Sequence, residues 1–266
     1  MKIIDTHAHI YPDKIALRAA ASIAEFYDMP TRLDGTVRTL LQKGGEAGTS
    51  RYLVHSVALT WERVHSINDF IAASVAEHPD KFVGFGAMHP DHPEMEKELD
   101  RILSLGLKGV KVHPDTQRFY LDDPAAIRMF EAIAERKLAL LTHTGDFRYP
   151  YSHPERMARA LDQVPSLRVI CAHFGGWSVW SDAWKVLAGR SNVYVDTSSS
   201  LYALSPEEAV KIIHRYGADH CFYATDYPMW NLDEELQRFM ALPLTDEERE
   251  MILHKNFERF MEECGA

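Results

Sequence analysis

His7 and His9 stand two residues apart at the end of the apolar run Ile3–Ile10. On a strand that spacing sends both imidazoles to one face, with Cα atoms about 7 Å apart. Two rings so placed can chelate one ion at Zn–N distances of about 2.0–2.1 Å. They can equally be a hydrogen-bonded core pair, and the pattern His-x-His does not decide between the two. What weighs for a ligand role is how often metal-binding and titratable residues recur at the ends of other apolar runs. His55 follows one run, and His89 follows the next. Lys111 and His113 end a third, followed by His143, His173, Asp196 and Asp226 at the ends of four more. The chain has 14 histidines. The remaining seven (His65, His78, His92, His153, His214, His220, His254) fall in helical or loop patterns and read as structural or exposed.

The elements that must position these residues alternate regularly. Eight β-type runs lie at Ile3–Ile10, Arg51–Leu59, Phe82–Met88, Gly109–His113, Leu138–Thr144, Arg168–His173, Val193–Thr197 and Cys221–Thr225. Asp123-Pro124 opens a helix reaching about Lys137. Ser205-Pro206-Glu207-Glu208 is a capping box whose helix should end at Gly217, and Thr245 begins another that reaches about Glu263. After the first crossover the strands recur at one βα unit each, which predicts an α/β fold, a single (β/α)₈ TIM barrel over 1–266. An open doubly wound sheet is disfavoured, because no Gly-rich phosphate turn follows the first strand. Residues 11–50 are too many for one crossover helix and predict an extra helix or lid over the barrel mouth. In such a barrel the strand ends converge on one site.

Composition narrows the partners. The length of 266 residues suits one α/β barrel, and 46% hydrophobic residues can fill a large core. A net charge of −10 with no basic stripe argues against nucleic acid. No apolar run approaches the ~18 residues of a membrane span. Met1 and Lys2 lead straight into a strand pattern, so no signal peptide is expected and the location expected is cytoplasmic. Cys171, Cys221 and Cys264 have no metal or redox spacing, and the first two read as core. The partner expected is a small molecule, and any self-association expected is a homodimer.

Four segments then carry a resemblance: Ile4-Asp5-Thr6-His7-Ala8-His9, Leu141-Thr142-His143-Thr144-Gly145, Ala172-His173-Phe174-Gly175-Gly176 and Ala224-Thr225-Asp226-Tyr227-Pro228. Together they resemble the amidohydrolase superfamily, more narrowly its branch related to aminocarboxymuconate-semialdehyde decarboxylase, which contains both hydrolases and non-oxidative decarboxylases. The resemblance implies that His7, His9, His143 and Asp226 ligate a metal and that His173 is catalytic or supports the ligands. One divalent ion is implied, with Zn²⁺ first and Mn²⁺ or Fe²⁺ compatible with the donors. Lys111 stands where two-metal members carry a bridging carbamate. That second metal is the lesser expectation, beside an unmodified lysine that pairs with a substrate carboxylate or with Asp196.

Among loop residues, Arg148 and Arg118 could clamp a carboxylate, and Trp177 could touch substrate. The expected activity is hydrolysis, with metal-activated water attacking an ester, lactone or amide carbonyl while Asp226 and His173 move protons. The simple strand-5 run and the Lys111 segment favour it. The second reading is a decarboxylase of an aromatic or unsaturated acid, and the third is a barrel that binds metal without catalysis.

Overall fold

Eight parallel strands run in sequence order around one sheet: β1 (Ile4–His9), β2 (Arg51–His55), β3 (Phe82–Ala87), β4 (Gly109–Val112), β5 (Ala139–Thr142), β6 (Val169–Cys171), β7 (Val193–Asp196) and β8 (Cys221–Phe222). The computed structural model describes residues 1–264. Closure between the last strand and the first is made by Thr6 N donating to Tyr223 O at 3.0 Å and His9 N donating to Tyr227 O at 2.8 Å. The sheet is therefore the expected barrel. No helix among the described residues is long and apolar enough to cross a membrane.

Two apolar clusters follow from the alternation of strand side chains. The larger packs the outer strand faces against the helices. The smaller fills the barrel's interior with Ile4, Leu53, Phe85, Leu141, Ile170 and Phe222. Gly109 makes room for it, since a Cβ there would come within 2.6 Å of the Phe85 ring. Helix α12, the last one (Asn256–Glu263), supplies Phe257, Phe260 and Met261 to the same cluster, plugging one end of the barrel.

Between β1 and β2 lie two helices, α1 (Asp13–Tyr27) and α2 (Val37–Glu46). The second is the crossover, capped by the Thr36 hydroxyl accepting from Thr39 N at 3.2 Å. The first is the expected extra element, and its residues line the cleft above the strand ends. Both expected capping boxes form, at Ser205 and Thr245. The last helical stretch is not one continuous α-helix: a π turn at Met251–Lys255 joins α11 (Asp246–Glu250) to α12. The Ile252 carbonyl there accepts from Tyr223 N at 2.9 Å, which ties the C-terminal helices to the end of β8.

Candidate metal centre and cleft

The pairing register of β1 slips between Asp5 and Ala8. Ile4 belongs to the barrel interior, and His7 is three residues on, which regular alternation would put on the opposite face. The slip restores His7 and His9 to the inner side, as a bulge re-aims side chains. His7 Nδ1 faces Asp196 Oδ2 at 2.9 Å. With the proton on that nitrogen, Nε2 presents its lone pair. It meets His9 Nε2 at 3.2 Å and Asp226 Oδ1 at 3.5 Å, and His9 Nε2 is also 3.5 Å from Asp226 Oδ1. Burial holds His7 well below the usual imidazole range and pushes His9 down to about 3, helped by the Lys111 charge. Both rings are therefore in the neutral, ligating form. Two imidazole nitrogens and a carboxylate oxygen converging within 3.5 Å fit a divalent cation.

Asp196 organises the surroundings. One oxygen holds His7. The other accepts from His173 N at 2.9 Å, from Ser198 N at 3.1 Å and from the Ser198 hydroxyl. His173 Nδ1 lies 2.8 Å from Ser198 Oγ and 3.0 Å from Ser198 O, which leaves Nε2 as its other polar atom. Asp226 Oδ2 accepts from Ser199 Oγ at 2.5 Å, and Ser199 accepts from Trp230 Nε1 at 2.9 Å. His173, Ser199 and Asp226 all have positive φ, 60°, 43° and 59°. Such strained backbone in non-glycine residues clusters at functional sites.

His143 stands one ring further out. Its centroid is 4.9 Å from that of His173, which is 5.2 Å from that of His7. Its Nε2 donates to Gly145 O at 2.7 Å, so Nδ1 is the atom left to ligate. That atom is 3.4 Å from the Tyr27 hydroxyl, which also bonds His113 Nε2 at 2.7 Å. Gly145 (φ +80°) allows the loops after β5 and β6 to touch, since a Cβ there would come within 2.5 Å of Gly176. Lys111 is buried, with Nζ 3.2 Å from His7 Nε2 rather than paired with Asp196, and burial lowers it to about 8.

The loop residues divide. Arg118 is exposed on the cleft wall. Trp177 packs edge-on against Tyr27 at 5.0 Å, beside His173 and Asp226. Arg148 corrects the expectation of a carboxylate clamp. It is bidentate to Asp146 at 2.9 and 2.7 Å, and it donates to Phe26 O at 2.7 Å. A carboxylate two residues away has already taken its fork.

Three contributors were not singled out as ligands or ligand supports from sequence. Asp196 reads from sequence as a strand-end residue and a partner for Lys111, and its hold on His7 needs the β1–β7 geometry. His55 brings its ring 4.4 Å from His9, with both its nitrogens unpartnered among the described residues, and it forms a ligand-capable group with His7 and His9. Tyr27 comes from the aperiodic insertion, where no strand-end rule applies.

The family model described as Amidohydrolase matches residues 4–261, and the chain belongs to that family. Among curated proteins it is 26% identical to a gamma-resorcylate decarboxylase of Polaromonas sp. (strain JS666 / ATCC BAA-500), with 72% of this chain and 73% of that one covered. Among solved structures it matches 5-carboxyvanillate decarboxylase from Sphingomonas paucimobilis with a TM-score of 0.77, at 19% identity over 98% of this chain and 99% of that one. A dihydroxybenzoic acid decarboxylase from Polaromonas sp. JS666, with bound manganese and the inhibitor 2-nitroresorcinol, gives a TM-score of 0.75 at 19% identity, over 98% and 97%. The structural matches show a shared fold. The expected hydrolase is corrected by these comparisons, because the relatives found are decarboxylases.

Proposed function

We propose that this chain is a metal-dependent, non-oxidative decarboxylase of an aromatic or unsaturated carboxylic acid. The observation that carries the reading is the coincidence of decarboxylase relatives covering about three quarters of both chains with the His7–His9–Asp226 convergence at the cleft floor. His7, His9 and Asp226, with His143 the fourth expected donor, would hold a divalent ion, which would supply Lewis-acid grip on substrate oxygens. Manganese is the first ion to test, since a solved relative holds it and the donors accept it.

Loss of CO₂ breaks a carbon–carbon bond, leaves the electron pair on the substrate carbon and requires a proton in its place. His173 Nε2 is the group proposed to bring that proton, and the contact of Nδ1 with Ser198 supports the reading. Asp226 is kept in position by Ser199. The unmodified Lys111 ammonium meets the substrate carboxylate at the floor, and the apolar walls from Ile23, Phe26 and Phe70 exclude water from the ring or alkene. The test is CO₂ release from a panel of hydroxybenzoic and unsaturated acids by manganese-reconstituted protein. The expected result is one CO₂ per acid consumed by at least one class. A loaded protein that evolves no CO₂ from any of them sinks the reading.

A further inference from the structure

The cleft above the strand ends has a volume of about 1280 Å³, whereas pockets that enclose a drug-sized ligand occupy about 300–1,000 Å³. Its inner end holds the histidines, Lys111, Asp115 and Asp226. Its outer wall carries four exposed cations, Lys14 and Arg18 of α1, Arg63 at the start of α3 (Val64–Glu77), and Arg118 after β4. None of the four has an ion-pair or side-chain hydrogen-bond partner among the described residues, although Asp and Glu outnumber Lys and Arg by 39 to 29. Most arginines elsewhere are paired, among them Arg101, Arg136, Arg156 and Arg238. The lining contains no acid besides Asp115 and Asp226, and both are at the floor.

Three of these cations are placed against local preference. Lys14 and Arg18 are like charges at i,i+4 in the first turns of α1, where the helix dipole is positive and both relations are unfavourable. Arg118 sits at φ 61°, a left-handed conformation that costs a branched-free but Cβ-bearing residue energy. An anion bound between these side chains offsets the two electrostatic costs. Ile15, Ile23, Leu59 and Ile67 also line the cleft and offer apolar surface to the body of a ligand.

We propose that the substrate is an elongated acid carrying a second anionic group, which Lys14, Arg18, Arg63 and Arg118 bind at the outer end of the cleft while the reacting carboxyl lies at the floor. The identity of the reacting end rests on the decarboxylase reading. The anionic rim does not.

The test uses manganese-loaded protein and 2-hydroxybenzoates bearing, at the 5-position, a linear chain of two to five methylenes ended by carboxylate, phosphonate or the neutral carbamoyl group. Calorimetry gives each Kd. At one or more chain lengths an anionic end binds about tenfold tighter than the carbamoyl end, the size of one charge-assisted hydrogen bond. Whichever of carboxylate and phosphonate gains more names the class of anion. The gain shrinks with added salt, since the rim is exposed. In the double variant Arg18→Gln, Arg63→Gln the ratio of Kd values falls towards one, and in Lys185→Gln, on the far helix Trp180–Leu187, it stays as in wild type. Equal Kd values for anionic and carbamoyl ends at every length overturn the proposal, as does a ratio that survives the double variant or falls as far in Lys185→Gln. CO₂ release is scored on the same compounds. Tail-dependent binding without CO₂, here and across the hydroxybenzoic and unsaturated acids, removes the decarboxylase reading and leaves the rim standing. CO₂ release with no preference for the anionic tail does the reverse.

Discussion

Asp196 takes no expected place among the ligands, yet it fixes the two residues that matter most, His7 through Nδ1 and His173 through its backbone N–H. A buried carboxylate that orients an imidazole in this way sets which nitrogen faces the ion. The ligands and the proton carrier should separate cleanly by mutation. His7→Ala and Asp226→Ala should each lose the metal by elemental analysis. Wild type should hold close to one ion per chain even after reconstitution with bicarbonate. Full occupancy in either variant refutes the ligand assignment, and two ions per chain would revive a carbamate on Lys111. On the proposed proton-transfer role, His173→Asn should keep the ion and lower kcat by about 10²–10⁴-fold. A variant with normal kcat makes His173 a structural residue, and one that loses metal makes it a ligand.

The loops after β5 and β6 make their tightest approach where a side chain is absent. Gly145 follows His143 and packs on Gly176, which follows His173. Its φ of +80° and the 2.5 Å approach leave no room for a methyl group. Gly145→Ala should therefore cost more than about 1 kcal/mol of stability, read from the urea midpoint. It should also depress kcat by moving both histidines, and unchanged kcat would show that the β5 and β6 loops yield without disturbing the site. Helix α1 works on the same scale: it delivers Tyr27 to His113 and His143 and lays Lys14 and Arg18 along the cleft.

Across the whole molecule, chemistry and stability are held at opposite ends of one barrel. The mouth carries strained, polar and titratable residues, and the plug is Phe257, Phe260 and Met261 packed beneath the inner strand residues. Phe260 is fully buried. Phe260→Ala should cost about 3–5 kcal/mol by urea denaturation while leaving kcat near wild type at temperatures where the variant stays folded. A large loss of kcat in folded protein would show that the two ends are coupled.

The strands, their order and most of their ends were legible in the sequence because apolar runs alternate with capped helices at one βα period. The recurrence of His and Asp at the ends of those runs pointed to the mouth of the barrel, since strand ends in a closed parallel sheet must converge. Tertiary structure decided what depends on contacts between residues far apart in the chain. The slip in β1 puts Ile4 and His7 on one face, against simple alternation. Arg148 is free in sequence but bound by Asp146 in space. Tyr27 reaches His143 across 116 positions, and Asp196 reaches His7 across 189. Residue types and period thus determined the fold and the end of the barrel where titratable residues gather, but not the reaction, while the packing of loops against one another decided which side chains remain free, because a polar group's availability depends on what else is within hydrogen-bonding reach.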